Sequence, residues 1–112
     1  MKNLLSTFEE IETPFYWYDL KLLDDTLDAL KKANKEGYHV HYALKANNNP
    51  RIIERIKQAG LGIDCVSGGE VKHALDNGFD PSQIVLAGVG KTDQEIAYAI
   101  ENDIFSFNVE SI

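Results

Sequence analysis

Residues 42 to 50, YALKANNNP, place a lysine between an apolar run and a polar turn. The residues before it, 38 to 44, are aromatic and β-branched, which predicts a buried strand. Asn49 and Pro50 are then a favoured helix cap and a favoured first helical residue. The stretch therefore predicts a strand, a short loop and a helix, with the amine of Lys45 where the strand ends.

The same alternation of strand and helix continues along the chain. Further strands are predicted at residues 61–66, 84–88 and 105–109, so that successive strands begin 21 to 23 residues apart. This interval fits one strand, one helix and two loops of a parallel sheet. Units of nearly equal length favour a (β/α)8 barrel over a doubly wound sheet, whose units usually vary more. The predicted fold class is therefore α/β, a partial TIM barrel of about four βα units. Because such a piece leaves a sheet edge open, we expect the isolated chain to be marginally stable and prone to associate.

Helix start signals lie before and between the predicted strands. Apolar residues recur at helical spacing after Asp19, which is a favoured N-cap. The stretch from Thr92 to Glu95 has the S/T-x-x-E form of a capping box ahead of the last predicted helix. Both signals predict the residue at which a helix begins.

The composition indicates an ordinary globular protein and limits its partners. Hydrophobic residues make up 44% of the chain and charged residues 26%, as in a typical folded domain. The net charge of −7 argues against nucleic acid or an anionic membrane as a partner, since both require a basic patch. The first ten residues lack the apolar segment of a signal peptide, and no run approaches the roughly 18 apolar residues of a membrane span. The one cysteine, Cys65, has no internal disulfide partner. We therefore expect a cytoplasmic protein.

The carboxyl ends of the strands are where a barrel carries its chemistry, and polar residues lie at these predicted ends. Alternation along the first strand places one set of its side chains on the face that lines a barrel. That set is His39, His41, Ala43 and Lys45, and the later strand ends carry Asp64, residues 88–91 and Glu110.

Lys45 is the residue at these ends with the clearest chemical use. An amine in the dry mouth of a barrel loses hydration, which favours its neutral, nucleophilic form and suits Schiff-base formation with a carbonyl. The alternative is a lysine that extends into solvent from a strand end. Asp64 and Glu70 are candidates for orienting the amine and a cofactor, or else for a strand-end cap and a helix N-terminal acid.

The remaining polar and glycine-rich patterns point to no further cofactor. His39 and His41 lie on one strand face, but no third ligand follows at a familiar spacing, so no metal site is predicted. Residues 88–90, like the Gly-Gly pair before Glu70, permit close backbone approach but match no nucleotide-binding fingerprint. Cys65 is expected to be a small buried hydrophobe, and His73 a surface residue.

Five segments of the chain resemble, in order and spacing, the PLP-dependent decarboxylases built on an alanine-racemase-like barrel. They are TPFYWYD (13–19), YALKANNNP (42–50), GLGIDCVSGGE (60–70), AGVGK (87–91) and FNVES (107–111). Ornithine and arginine decarboxylases share parts of the pattern. The SGGE and GVGK forms are more similar to the branch that decarboxylates meso-2,6-diaminopimelate to L-lysine in lysine biosynthesis.

The resemblance implies a role for the chain and for four of its residues. Residues 1–112 would be the N-terminal part of the PLP-binding barrel domain, with the remainder of the barrel and a C-terminal β domain absent from them. Lys45 would carry pyridoxal 5'-phosphate, and Ala43, Asp64 and Glu70 would line it. The substrate would be a small amino acid and the complete enzyme, a lyase, would be a homodimer. The chain alone would be inactive, because the family's ring-stacking histidine, phosphate loop and acid at the pyridine nitrogen are not in it.

Alternatives remain open at this point. Another basic amino-acid decarboxylase of the same fold, acting on ornithine, arginine or carboxynorspermidine, would share these segments. A non-catalytic single-domain PLP-binding barrel also carries a lysine on an early strand, although the segment at 13–19 resembles the two-domain decarboxylases instead. A truncated product without enzymatic activity is the third alternative.

Overall fold

The sheet of this protein is parallel throughout, and its strands lie in the order in which they occur in the chain. The structure, a computed structural model, describes residues 3–111. Within them four strands form one sheet in the order β1-β2-β3-β4. The elements are α1 (Leu4–Glu9), α2 (Leu20–Ala33), β1 (His41–Ala43), α3 (Pro50–Gln58), β2 (Gly62–Cys65), α4 (Gly68–Asp76), β3 (Ile84–Leu86), α5 (Asp93–Glu101) and β4 (Ser106–Phe107), with 3-10 turns at Leu44–Ala46 and Pro81–Gln83. The predicted α/β repeat is confirmed, and its parallel sheet is that of a partial barrel.

The predicted helix starts are confirmed by their hydrogen bonds. The side chain of Asp19 accepts a hydrogen bond from the N–H of Leu22 at 3.0 Å and begins α2. Asn49 caps α3, with Pro50 as its first residue. At α5 the capping box is complete, because the Thr92 side chain and its N3 glutamate each accept a bond from the other's backbone N–H.

Three of the helices end in the same way and turn the chain towards the next strand. The residue after the C-cap has a left-handed backbone in each case, Gly60 (φ +80°), Gly78 (φ +80°) and Asp103 (φ +53°). The next N–H reaches back over the helix end, as from Leu61 to the carbonyl of Ile56 at 3.3 Å. This Schellman geometry satisfies the last carbonyls and places an apolar residue against the core.

The core lies between the helices and one face of the sheet. Ile63 and Cys65 of β2 point into it and are fully buried. Their neighbours Gly62 and Asp64 lie on the opposite face, since side chains alternate along a strand. The principal core residues are Leu44, Ile53, Ile56, Ile63, Cys65, Val71, Ala74, Ile84, Leu86 and Ala99.

The strands are shorter than the sequence predicted. The first predicted strand, 38–44, is a strand only over His41–Ala43. Leu44 turns into the core with 1% of its surface exposed and begins a 3-10 turn, so the strand ends at Ala43, two residues before Lys45. The prediction that Lys45 shares a strand face with Ala43 is therefore wrong.

The face of the sheet opposite the core is closely packed around Gly62. Gly62 pairs in register with His41. A Cβ built on this glycine would lie 2.5 Å from the Cδ2 atom of the His41 ring and 2.6 Å from the carbonyl oxygen of Gln83. The imidazole therefore lies over the glycine, on the face that would line a barrel.

No helix within residues 3–111 is long and apolar enough to cross a membrane. The longest of them, α2, has 14 residues.

This packing predicts that Gly62→Ala destabilises the protein. The new methyl group meets a ring and a backbone oxygen, and overpacking of this kind costs about 1–3 kcal/mol of unfolding free energy. Gly90→Ala is the matched control, because a Cβ at Gly90 meets nothing within 4 Å. Urea unfolding of both variants measures the difference, and equal midpoints for the two variants would contradict it.

Candidate functional site

Lys45 lies immediately beyond the carboxyl end of β1, in the 3-10 turn that begins with the buried Leu44. Its side chain borders an open hollow of about 520 Å³ that Glu70, Asn47 and Asn48 also line. Lys45 is exposed within the described residues. The desolvation that the sequence suggested for this amine is therefore not provided by residues 3–111.

The asparagines after Lys45 hold the loop in shape. The side chain of Asn47 accepts a hydrogen bond from the N–H of Asn49 at 3.0 Å, and that of Asn49 accepts one from the N–H of Arg51 at 2.9 Å. The hydroxyl of Tyr42 donates to the Asn47 carbonyl at 3.1 Å. Asparagine side chains commonly accept a hydrogen bond in this way from the backbone N–H two residues later. These hydrogen bonds thus fix the conformation of the loop that follows Lys45.

His73 joins this loop to α4. Its Nε2 atom lies 2.9 Å from the carbonyl oxygen of Asn48, and the ring N–H donates to it. The sequence predicted a surface position for His73, and the structure shows it half-buried instead. Its partner is 25 residues earlier in the chain, which no local pattern indicates.

Glu70 is held at the start of α4 beside Lys45. Ser67 caps the helix by accepting a hydrogen bond from the N–H of Glu70 at 3.2 Å. The carboxylate of Glu70 accepts one from the N–H of Val66 at 2.7 Å. A negative charge is stabilised at this helix end by the helix dipole. The carboxylate therefore has a fixed position on the edge of the Lys45 hollow.

Asp64 and Ala43 lie side by side on the sheet face opposite the core. They are register partners in β2 and β1, and Ala43 is two residues before Lys45. The Oδ1 atom of Asp64 is buried and has no hydrogen-bond partner within residues 3–111. Because an unpaired buried oxygen is costly, this atom fits a further hydrogen-bond donor, from a ligand or from another part of the protein.

The other predicted strand-end residues form a separate group. Lys91 has a side chain that is only 11% exposed; its amine donates to the Gly88 carbonyl and lies 3.3 Å from a carboxylate oxygen of Glu110. This contact joins the loop after β3 to the segment after β4. Neither Lys91 nor Glu110 lines the Lys45 hollow.

His39 and His41 lie at the other end of the sheet. They border a second hollow, which lies at the start of β1 and is also lined by Gln83. In the part of the chain that the structure describes, no three His, Cys, Asp or Glu side chains are grouped as metal ligands.

Two tyrosines at the hollow were missed in the sequence. Tyr16 and Tyr18 line it, and their rings are parallel with centroids 6.2 Å apart. Between them Trp17 points the other way and packs on Phe8, with ring centroids 4.9 Å apart. The sequence signal for Tyr16 and Tyr18 is the alternation of side chains along an extended segment, which places both on the same side.

Cys65 lies behind the site and is chemically inert. Burial, and to a smaller extent the nearby charges of Glu70 and Asp64, together raise the pKa of its thiol to about 12. A thiol with so high a pKa is protonated at neutral pH and is a poor nucleophile. Cys65 is therefore not a candidate nucleophile at this site.

Comparison with known proteins gives this arrangement a family. A family model described as the pyridoxal-binding domain of pyridoxal-dependent decarboxylases matches residues 21–112. The chain belongs to this family. The resemblance drawn from the five sequence segments is thereby confirmed, and pyridoxal phosphate is the cofactor that the family implies.

Relatives of the same family share one name. The chain is 51% identical over 110 residues to the diaminopimelate decarboxylase of Bacteroides thetaiotaomicron, covering 96% of this chain and 28% of that protein. It is 40% identical over 111 residues to that of Aquifex aeolicus, covering 99% and 26%. The chain thus spans about a quarter of the length of these relatives.

Solved structures of the family have the same fold as this chain. The diaminopimelate decarboxylase of Helicobacter pylori, complexed with L-lysine, superposes with a TM-score of 0.88 at 40% identity, over 97% of this chain and 28% of that one. The ornithine decarboxylase of Entamoeba histolytica gives a TM-score of 0.86 at 27% identity, over 97% and 35%. The predicted alanine-racemase-like barrel is confirmed as the fold class.

The residues of this chain fit the cofactor by their chemistry. Lys45 supplies a primary amine, which binds an aldehyde covalently. Glu70 supplies a fixed carboxylate at the edge of the hollow that Lys45 lines. The unpaired buried oxygen of Asp64 can accept a hydrogen bond from a bound group. The assignment of Lys45, Ala43, Asp64 and Glu70 as cofactor residues remains a prediction.

The state of Cys65 predicts that alkylation discriminates the folded from the unfolded protein. We expect iodoacetamide at pH 8 to label the folded protein at least about a hundredfold more slowly than the urea-unfolded one, because the thiol is buried and protonated. A Val66→Cys variant is the control, since it adds an exposed thiol in the same segment. Mass spectrometry measures both rates, and equal labelling of Cys65 before and after unfolding would contradict the assignment.

Proposed function

We propose that the protein containing this chain decarboxylates meso-2,6-diaminopimelate to L-lysine as a pyridoxal-phosphate-dependent carboxy-lyase. The observation that carries the proposal is the placement of Lys45, which follows the carboxyl end of a barrel strand and lines the same hollow as Glu70. The choice of substrate is supported by the name of the relatives at 40–51% identity.

The proposal includes the position of the chain in the enzyme. Residues 1–112 would be the N-terminal part of the PLP-binding barrel domain, and the remainder of the barrel and a C-terminal β domain would lie outside them. The share of the relatives that is matched, 28% and 26%, supports this. We expect the chain alone to be inactive, because it forms only four strands of a barrel that needs eight.

Each of the four residues has a distinct proposed task. Lys45 would bind the aldehyde of the cofactor through its Nζ atom. Glu70 would hold a negative charge at the edge of the same hollow and orient the bound group. Asp64 accepts a hydrogen bond with its free oxygen, and Ala43 leaves space beside it because its side chain is a single methyl group. When bound, the cofactor supplies an electron sink for the carbanion left by loss of CO2.

Covalent trapping tests the central assignment. We expect borohydride reduction of the full-length protein with pyridoxal phosphate to leave a stable adduct on the peptide that contains Lys45. Lys45→Ala should abolish the adduct and lower the decarboxylation rate by at least about a hundredfold, since the amine both binds the cofactor and transfers protons. Lys72→Ala, at an exposed lysine of α4, is the matched control. An adduct on a different lysine would overturn the assignment.

A decarboxylase for another basic amino acid is the second candidate. The structural likeness to an ornithine decarboxylase, with a TM-score of 0.86, favours it. An assay of CO2 release from meso-diaminopimelate, L-ornithine and L-arginine decides between the two. A higher kcat/KM for ornithine or arginine would replace the proposed substrate while leaving the role of Lys45 intact.

The remaining properties of the enzyme follow from the sequence arguments. We propose a cytoplasmic homodimer without nucleic-acid or membrane partners, supported by the net charge of −7 and the single cysteine and, for the dimer, by the family resemblance. Light scattering coupled to gel filtration of the full-length protein should give the mass of two chains. A monomeric mass with full activity would contradict the dimer.

A further inference from the structure

Glu95 connects the starts of two helices. One of its carboxylate oxygens, Oε1, accepts a hydrogen bond from the N–H of Gly68 at 2.9 Å, in the first turn of α4. The other, Oε2, accepts from the N–H and the hydroxyl of Thr92, at 2.9 and 3.0 Å, at the start of α5. The first N–H groups of a helix have no partner within the helix. The capping box uses only one oxygen of Glu95, and the second serves a residue 27 positions earlier.

Gly68 leaves space for the side chain of Glu95. A Cβ built on Gly68 would lie only 2.9 Å from the Cγ atom of Glu95. At the adjacent Gly69 the nearest atom would be 3.8 Å away, at ordinary van der Waals distance. The absence of a side chain at Gly68 is therefore what allows Glu95 to lie flat against the start of α4.

The segment held by Glu95 is the one that carries Glu70. Ser67, just before Gly68, accepts the hydrogen bond from the N–H of Glu70, and Glu70 in turn accepts from Val66. The Glu70 side chain lines the hollow beside Lys45. A continuous set of contacts thus runs from Glu95 through the turn at 66–70 to the neighbourhood of the lysine.

We propose that Glu95 is a positioning residue of the Lys45 site, which holds the turn at 66–70 and thereby fixes the carboxylate of Glu70 at the edge of the hollow that Lys45 lines. That pyridoxal phosphate binds at this site rests on the proposed function. The contact between Glu95 and the turn at 66–70 does not depend on it.

The charge of Glu95 is needed for both contacts. Its pKa is lowered from the ordinary value of 4.5, first by the Thr92 N–H and then by the Gly68 N–H, so the side chain is ionised at neutral pH. A glutamine has one acceptor oxygen, and its NH2 group would face an N–H donor on one side. Glu95→Gln can therefore satisfy only one of the two helix starts.

The test compares Glu95→Ala, which removes both acceptor oxygens, with Thr92→Ala in the full-length protein. Thr92→Ala removes the hydroxyl from the capping box of α5 but leaves the Gly68 contact, so it controls for a weakened α5. We expect Glu95→Ala to speed amide hydrogen exchange at 66–70 by about tenfold or more, the usual effect of losing a hydrogen bond to a charged group. Thr92→Ala should change it little. The dissociation constant for pyridoxal phosphate, measured by absorbance, should rise several-fold only in Glu95→Ala.

A second pair of variants tests the close contact directly. Gly68→Ala should lower the melting temperature when Glu95 is present, because the new methyl group meets the glutamate stem. In a Glu95→Ala background the same change should cost much less. Equal losses in both backgrounds would overturn the contact, as would unchanged exchange at 66–70 in Glu95→Ala.

The remaining outcomes separate this inference from the proposed function. Faster exchange at 66–70 with an unchanged dissociation constant for the cofactor would overturn the positioning role. Failure of the wild-type protein to form a Lys45 adduct would overturn the proposed function. In that case the exchange comparison without cofactor still supports or overturns the hold of Glu95 on the turn.

Discussion

The parallel pairing of consecutive strands is the constraint on which the rest of this structure depends. Because each strand must run in the same direction as the one before, every unit has to carry the chain back through a helix. The carboxyl ends of β1 to β4 therefore meet at one edge of the sheet. Lys45, Glu70 and Lys91 all lie at this edge because of topology. The caps and the left-handed helix ends serve the same constraint, since they set where each return begins and stops.

The parts that could be predicted from the sequence are those governed by neighbours in the chain. The cap at Asp19, the Asn49-Pro50 start and the capping box at Thr92 each depend on residues within one helical turn, and all three are present. The regular spacing of the βα units was predictable for the same reason, because it reflects the length of one strand and one helix. The end of β1 was not, because Leu44 suits a strand and a buried turn equally well.

The parts that could not be predicted depend on contacts between units. His73 finds its partner in the loop after Lys45, and Glu95 finds one of its partners at the start of α4. Neither distance in the chain corresponds to a helical or strand period. Asp64 illustrates the same limit, since no sequence pattern indicates that its Oδ1 atom is buried without a hydrogen-bond partner within residues 3–111. Site residues in such a fold are therefore recognised by what lies beside them in the neighbouring unit.

The order of the strands also bears on how the protein is made. Each strand pairs with the one synthesised just before it, so no pairing has to wait for a distant part of the chain. Contacts between neighbouring segments carry a small loop-closure cost and form quickly. The sheet can therefore be extended one unit at a time as the chain leaves the ribosome, in the direction of synthesis. The lysine and its loop are therefore made before β3 and β4, and the growing edge of the sheet is the template on which those strands assemble.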